Sequence, residues 1–124
     1  MANEKILIAD DDKNICELLR LYLAKEGYET VIANDGEAAV AAFEKEKPNI
    51  VLLDVMMPNM DGLDATRAIR ALDRADAKVI PIIAMTANAF EEDKQNALNA
   101  GMNGHIAKPL DIPHLLKVLE EALK

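Results

Sequence analysis

The sequence predicts an α/β fold in which five parallel strands form one sheet with helices on both faces. Three observations lead to this prediction. Five short apolar runs alternate with longer segments in which apolar residues recur at helical spacing. Runs this short are typical of strands buried on both faces, as in parallel sheets. A βα unit repeated five times implies parallel pairing through right-handed crossovers, which place helices on both faces of the sheet.

The first βα unit begins with the strand Lys5–Ala9, which stops at three aspartates. From Asp12 the period changes to that of a helix, and Asp12 itself suits the N-cap position. Gly27 follows the helix as a C′ residue would. The predicted apolar stripe of this helix consists of Ile15, Leu18, Leu19, Tyr22 and Leu23.

The second and third units repeat this pattern. A strand is predicted at residues 28–33, and either Asn34 or Asp35 can cap the helix after it. The third strand, Ile50–Asp54, again ends on an aspartate, and a helix follows at residues 63–72. The apolar residues that we expect these two helices to bury are Ala39, Val40, Phe43, Ile69 and Leu72.

The last two units complete the predicted sheet. A strand at residues 79–85 carries Pro81 near its start, where a missing backbone donor is tolerated. A helix at residues 90–100 precedes a brief fifth strand at residues 105–107, and Asp111 caps the last helix. That helix presents Leu115, Leu116, Val118 and Leu119.

Composition fits a single domain over residues 1–124, with no effector domain beside it. Half of the residues are hydrophobic, but with two Phe, two Tyr and no Trp the core must be aliphatic. A formal charge of −8 argues against nucleic acid or an anionic membrane as the main partner. Cys16 is the only cysteine, so no intramolecular disulfide can form. Because no apolar run approaches a membrane span and no signal-peptide core precedes the first strand, we expect a cytoplasmic protein.

Polar residues of chemical interest all fall where predicted strands end. Asp10 and Asp11 follow the first strand, Asp54 ends the third, Thr86 follows the fourth and Lys108 follows the fifth. In an open parallel sheet, ligands bind beyond the carboxyl ends of the strands, where the strand order reverses. The sequence therefore predicts one site at this edge of the sheet.

A divalent cation is the expected ligand of the acidic residues in this site. Bringing Asp10 and Asp11 near Asp54 is costly through like-charge repulsion unless a cation or a lysine compensates. Hard oxygen ligands with open positions suit Mg²⁺, which prefers carboxylates together with substrate phosphate. Mn²⁺ is a possible substitute.

Four segments, one with a loop motif after it, contain the site residues. They are Ile-Leu-Ile-Ala-Asp-Asp at residues 6–11, Val-Leu-Leu-Asp-Val-Met-Met-Pro at 51–58 with Met-Asp-Gly at 60–62, Met-Thr-Ala at 85–87 and Ala-Lys-Pro at 107–109. Together they resemble the response-regulator receiver family, the phosphoacceptor half of two-component signalling. The resemblance covers essentially the whole chain. It implies a flavodoxin-like, doubly wound (βα)5 fold.

The resemblance also implies a role for each site residue. Asp54 matches the nucleophile that becomes an aspartyl phosphate. Asp11 would ligate Mg²⁺ directly and Asp10 largely through water, and the backbone carbonyl of Met56 would complete the protein ligands. Lys108 would pair with Asp54 at rest and with a phosphoryl oxygen afterwards. Thr86 would hydrogen-bond another phosphoryl oxygen, with Ala87 leaving room beside it.

Partners follow from the same resemblance. The phosphoryl donor would be a histidine kinase or a histidine phosphotransfer protein. The output face would comprise the helix after the fourth strand, the fifth strand and the last helix. Phe90 and Ile106 are candidate contacts on that face, and both are equally plausible as core residues. The chain would be a monomer or a weak, phosphorylation-dependent dimer.

The switch position on the fifth strand departs from the family pattern. Where the family carries Tyr or Phe, three residues before Lys108, this chain has His105. Two interpretations stay open: a partly exposed histidine without a switching role, and one that rotates inward behind Thr86 when it is neutral.

Three other classes of protein compete with the receiver interpretation. An aspartyl-nucleophile phosphohydrolase would need a second aspartate two residues beyond Asp54, where Met56 stands. A flavodoxin-like binding module would need a phosphate loop rich in Ser, Thr and Gly, whereas residues 10–14 are Asp-Asp-Asp-Lys-Asn. A pseudo-receiver that acts by protein contact alone would have no need of the complete set of acids, Thr86 and Lys108. The pathway, and whether the domain stands alone or was excised from a larger regulator, stay open.

Overall fold

The computed structural model describes residues 4–57, 60–86, 91–108 and 110–123. Strands and helices alternate along most of this length. The strands are β1 (Lys5–Ala9), β2 (Glu29–Ala33), β3 (Ile50–Asp54), β4 (Ile82–Thr86) and β5 (Gly104–Ala107). The helices are α1 (Lys13–Lys25), α2 (Gly36–Glu46), α3 (Gly62–Arg70), α4 (Ala75–Val79), α5 (Glu91–Ala100) and α6 (Ile112–Ala122).

All five strands pair in parallel in the order β2-β1-β3-β4-β5. This confirms the predicted five-stranded parallel sheet. The order reverses between β1 and β3, which makes the carboxyl ends of these two strands the crevice where an open α/β sheet binds its ligand.

Helix starts follow the capping rules read from the sequence. Asp12 accepts hydrogen bonds from the backbone N–H groups of Asn14 and Ile15, at 2.9 and 3.3 Å. Asp35, rather than Asn34, caps α2. The carboxylates of these N-caps satisfy backbone donors that have no partner inside the helix and favour the positive end of its dipole.

Two apolar clusters fill the space on either side of the sheet. One packs α2, α3 and α5 against one face, with Phe43 as its largest fully buried side chain. The other packs α1 and α6 against the opposite face and includes Cys16. Both are mainly aliphatic, as the composition predicts. None of the helices in the described part of the chain has the length and apolar character needed to cross a bilayer.

The predicted fourth strand starts three residues too early. Residues 75–79 form the short helix α4 instead, and Val79 is 76% exposed. The helix is held at its start by Arg74, whose guanidinium pairs with Asp76 at 2.7 Å and lies 5.0 Å from the centre of the Phe43 ring. The sheet ladder begins only at the carbonyl of Pro81, which accepts from Val51 N at 3.0 Å.

The predicted apolar stripe of α1 is also partly wrong. Leu18 and Tyr22 are 45% and 41% exposed, whereas Cys16, Leu19 and Leu23 are buried. The buried residues follow i, i+3, i+7 spacing, which points one line of side chains at the sheet. Leu18 and Tyr22 lie to one side of that line, so the buried stripe is offset by about one residue from the predicted one.

Candidate functional site

The crevice at the carboxyl edge of the sheet gathers the polar residues that end four strands. Asp10 directly follows β1, and Asp54 and Thr86 are the last residues of β3 and β4. Lys108 directly follows β5, and its backbone N–H donates to the carbonyl of Thr86 at 2.7 Å. Because β1, β3, β4 and β5 are successive neighbours in the sheet, residues far apart in sequence meet here.

Three carboxylates form the acidic part of the site. Oxygen atoms of Asp10, Asp11 and Asp54 lie within 4.8 Å of one another. Asp10 and Asp54 are buried and Asp11 is exposed, so the cluster opens to solvent on one side. Such a set of hard oxygen donors with an open side is what Mg²⁺ favours.

Both carboxylate oxygens of Asp10 have a partner in the described chain. Its Oδ1 accepts a hydrogen bond from Asp12 N at 2.9 Å. Its Oδ2 is buried and forms an ion pair with Lys108 Nζ at 3.0 Å. A carboxylate oxygen can accept more than one partner, so Oδ2 can also meet a cation or its bound water.

Lys108 balances two of the three carboxylates. Its Nζ lies 3.0 Å from Asp10 Oδ2 and 3.3 Å from Asp54 Oδ2. Burial acts to lower the pKa of the Lys108 ammonium, but the carboxylates of Asp10 and Asp54 outweigh it and raise that pKa. The ammonium therefore stays charged and fixed over the acidic cluster.

The charge of the Asp54 carboxylate is costly in the folded protein. Its Oδ1 accepts a hydrogen bond from Met56 N at 3.2 Å. Burial and the neighbouring charge of Asp10 nevertheless raise the pKa of Asp54 from 3.8 to about 6, against the opposing effect of Lys108. A titratable group perturbed in this way inside a cleft is typical of a functional site.

We expect the free energy of unfolding of the metal-free protein to fall as the pH rises from about 4 to about 6 through Asp54. The folded protein binds the Asp54 proton more tightly than the unfolded chain does, so stability present at low pH is lost through this window and stays lost above it. A pKa raised from 3.8 to about 6 corresponds to a loss of about 2–3 kcal/mol.

Denaturant unfolding in EDTA across this pH range measures the loss. Asp54→Asn serves as the reference because its amide does not titrate, and it should gain in relative stability as the pH rises. Two proteins whose stabilities change in parallel between acidic and neutral pH would contradict this expectation.

The backbone around the site is held by two residues, Asn34 and Gly62, to which the sequence assigned no contact with the site. Asn34 donates from Nδ2 to the carbonyl of Asp10 at 3.0 Å, which explains why Asp35 and not Asn34 caps α2. Gly62 N donates to the carbonyl of Val55 at 2.9 Å and closes the loop after β3. The Asn-Asp-Gly segment at residues 34–36 and the Asp-Gly pair at 61–62 are typical of turns, but nothing in these local sequences indicates contact with the site.

Other residues named from the sequence lie at the rim or beyond the described part. Met56 is 73% exposed beside Asp54, and His105 is half-buried on β5, opposite Ala84 in the ladder. Ile106 is buried on the α1–α6 side of the sheet, which makes it core. Pro58, Ala87, Phe90 and Pro109 lie outside the described residues.

Cys16 lies just behind the site without the character of a reactive thiol. Its Sγ donates to the carbonyl of Asp10 at 3.3 Å. Burial, together with the charges of Asp10 and Asp12, raises the pKa of this thiol to about 11. A thiolate is therefore strongly disfavoured, and Cys16 serves as packing.

Comparison with known proteins agrees with this geometry. The family model of the response regulator receiver domain matches residues 6–120. The chain is 37% identical over 107 residues to the alkaline phosphatase synthesis transcriptional regulatory protein PhoP of Bacillus subtilis, a match that covers 86% of this chain and 43% of PhoP. It is 34% identical over 124 residues to hybrid signal transduction histidine kinase I of Dictyostelium discoideum, covering 96% of this chain and 7% of that protein. The chain thus spans less than half the length of either relative.

A solved structure similar to this chain is the receiver domain of a sensor histidine kinase from Pseudomonas aeruginosa. The two share 35% identity and a TM-score of 0.89, and the match covers 98% of each chain. That domain holds a magnesium ion coordinated in its active-site cleft.

Proposed function

Since this chain belongs to the response regulator receiver family and is a two-component phosphorelay receiver, we propose that its Asp54 accepts the phosphoryl group. The observation that carries the proposal is the contact set of Asp54. The Asp54 side chain is a buried strand-end carboxylate, flanked by the ammonium of Lys108 and by two further carboxylates. The flavodoxin-like sheet brings these groups to one edge, where a donor can reach them.

In the proposed reaction an Asp54 Oδ attacks phosphorus. The O–P bond forms as the P–N bond of a phosphohistidine breaks, and the imidazole leaves with the bonding pair and takes up a proton. A carboxylate is a competent covalent nucleophile for phosphate. Little further covalent chemistry is required, so the surrounding groups act by positioning and by stabilising charge.

Lys108 and Thr86 are the proposed partners of the phosphoryl oxygens. The Lys108 ammonium already lies 3.3 Å from Asp54 Oδ2 and can pass to a phosphoryl oxygen once the carboxylate is phosphorylated. Thr86 ends the strand beside Asp54 and is buried. Both are placed to stabilise charge that spreads over the equatorial oxygens.

Mg²⁺ is the proposed cofactor, with Mn²⁺ as a substitute. Asp11 and Asp54 would hold the ion directly, Asp10 largely through water, and the backbone carbonyl of Met56 would complete the set. The fit rests on the clustered oxygens and on the buried Asp10 Oδ2, which pairs with Lys108 and can accept a further partner. When bound, the ion supplies positive charge that neutralises the transferring phosphoryl group.

Asp11→Asn is expected to weaken Mg²⁺ binding by at least about tenfold, because it removes a direct carboxylate ligand. Calorimetric titration of the folded protein with Mg²⁺ measures the change. Asp12→Asn is the matched control: Asp12 uses its side chain to cap α1, and asparagine caps equally well. Equal losses of affinity in both variants, or none in Asp11→Asn, would rule out the proposed ligand set.

The phosphoryl donor and the partner-binding face are proposed from membership of the receiver family. A histidine kinase or histidine phosphotransfer protein supplies the phosphoryl group, and α5, β5 and α6 form the face that partners contact. His105 is included in the proposed switch because it stands three residues before Lys108 and pairs with Ala84, two residues before Thr86. Asp54 promotes only its own phosphorylation and later hydrolysis, without turnover of external substrates.

An aspartyl-nucleophile phosphohydrolase is less well supported. The position two residues after Asp54 is occupied by Met56, which offers a backbone N–H to the nucleophile and no side-chain acid. Incubation with a phosphoramidate, with and without Mg²⁺, followed by intact-mass measurement tests the proposed function. One added phosphoryl group that depends on Mg²⁺ is the expected product, whereas steady release of phosphate without an adduct would favour the hydrolase.

A further inference from the structure

Arg70, at the end of α3, joins three segments on the side of the molecule away from the site. Its Nε and Nη2 donate to the carbonyl of Gly101 at 3.1 and 2.8 Å, and Nη1 donates to the carbonyl of Ala77 at 3.1 Å. Nη2 also donates to Asn103 Oδ1 at 2.8 Å. No carboxylate pairs with this guanidinium among the described residues, so neutral acceptors satisfy it. A partly buried cation satisfied in this way fixes its acceptors closely, because the planar group offers its donors in a rigid fork.

Asn103 connects Arg70 to the sheet through hydrogen bonds to β4. Its backbone N–H donates to the carbonyl of Ile82 at 2.8 Å, and its Oδ1 accepts from Ile82 N at 2.8 Å. The oxygen that binds Arg70 is therefore the same oxygen that binds the first residue of β4. Arg70 and Asn103 together pin the start of β5 against the start of β4.

β5 has little of its own to fix its register. It is an edge strand of four residues that pairs with β4 alone. Only Ile106 among its side chains is buried. Strand register is normally specified by a pattern of buried side chains, and a short edge strand with one buried residue specifies it weakly.

The register of β5 decides which side chain reaches the acidic cluster. Ala107 pairs with Thr86, and the next residue, Lys108, therefore lies over Asp10 and Asp54. A slip of one residue would replace the lysine at that place by residue 107 or 109, an alanine or a proline. The ammonium would then be lost from the site even though every acidic residue stayed in place.

We infer that Arg70 is a positioning residue for phosphoryl transfer: by anchoring Gly101 and Asn103 it sets the register of β5 and so places Lys108 over Asp54. This inference rests on the proposed function, in which Lys108 assists transfer to Asp54. Arg70 does not touch the site, and its effect passes through Lys108.

A double-mutant cycle tests this inference with a phosphoramidate as donor and saturating Mg²⁺. Arg70→Met is expected to slow phosphorylation by about tenfold, since small misplacements of a charge-stabilising group have effects of this order. Lys108→Met should slow it at least as much, and the double variant no more than Lys108→Met alone. The control is Arg67→Met on the same helix, because Arg67 pairs only with the exposed Asp64 in the described chain and should leave the rate unchanged.

Hydrogen exchange of the Lys108 amide gives a readout that does not depend on the proposed function. This N–H donates to Thr86 O at 2.7 Å and reports the β4–β5 register at the site. In folded Arg70→Met its protection should fall about tenfold more than that of amides in β1 and β3. Asn103→Ala changes an exposed position and is expected to fold. Its slowing of phosphorylation and its loss of Lys108 amide protection should each be about a third of those in Arg70→Met.

The outcomes separate the two proposals. If Lys108→Met is phosphorylated at the parental rate, the proposed role of Lys108 in phosphoryl transfer is wrong. Amide exchange then tests whether Arg70 sets the register of β5, and unchanged protection of the Lys108 amide in Arg70→Met would show that it does not. If Lys108→Met is slow but Arg70→Met and Asn103→Ala are not, the inference about Arg70 is wrong. The inference is also wrong if the slowing caused by Arg70→Met adds fully to that of Lys108→Met in the double variant. Full additivity would indicate a general structural weakening that acts independently of the lysine. Should Arg70→Met not fold, Asn103→Ala takes its place in the cycle.

Discussion

Asp54→Asn is expected to abolish the phosphoryl adduct completely. The amide keeps the shape of the side chain but is too weak a nucleophile to attack phosphorus, and the other acids of the cluster are committed elsewhere. Asp10 accepts from Asp12 N through Oδ1 and pairs with Lys108 through Oδ2, and Asp11 lies on the exposed side. Intact-mass measurement after incubation with a phosphoramidate and Mg²⁺ should show one added phosphoryl group on the parent and none on the variant.

The control for this substitution is Asp61→Asn in the same loop. The Asp61 carboxylate accepts from Asp64 N at 2.8 Å and caps α3, a role that asparagine fills equally well. Asp61→Asn should therefore acquire the adduct at the parental rate. An adduct that survives in Asp54→Asn would place the phosphoryl group on another residue, and its absence from the parent would refute the assignment altogether.

Gly62→Ala is expected to cause a large loss of stability through a single added methyl group next to the site. A Cβ on Gly62 would lie 2.3 Å from the carbonyl oxygen of Asp54 and 2.9 Å from Val55 Cα. Both neighbours are backbone, so no side-chain rotation relieves the contact and the loop after β3 must move. Such overpacking is expected to lower the free energy of unfolding by about 2–3 kcal/mol. For a chain of this size that corresponds to a fall in Tm of roughly 8–12 °C.

Gly104→Ala is the matched control for the added methyl group. A Cβ on Gly104 would meet only Ile83 Cδ1, at the ordinary contact distance of 3.5 Å. Thermal unfolding should therefore separate the two variants clearly. Phosphorylation, measured well below either Tm, should be slowed in Gly62→Ala alone, because the displaced carbonyl belongs to Asp54. Equal Tm values for the two variants would show that the loop can yield at no cost.

Much of the fold was predictable because its signals are local. The buried runs at Lys5–Ala9 and Ile50–Asp54, and the caps at Asp12 and Asp111, each depend on a few neighbouring residues. Errors occurred where two local patterns competed. The apolar residues at 79–81 suit an extension of the fourth strand, but Val79 ends the helix α4, which the Arg74 contacts with Phe43 and Asp76 stabilise.

The candidate site divides in the same way. That Asp10, Asp54, Thr86 and Lys108 would share an edge followed from the order of strands, since the carboxyl ends of parallel strands meet at one side of a sheet. The raised pKa of Asp54 could not be predicted, because it depends on burial and on the distance to Asp10. Nor did the sequence distinguish Asn34 from Asp35, whose roles differ only through contact with β1.

The sequence by itself thus determined the class of fold, the order of its elements and the residue types at the carboxyl edge. Helical and strand periods, caps and turn residues are properties of short segments, so the local amino-acid sequence is enough to predict them. Tertiary structure decided that Lys108 also pairs with Asp10, that Gly62 must lack a side chain and that Arg70 reaches Gly101. These contacts join segments far apart in sequence, and their geometry depends on strand register and packing, which no local pattern encodes.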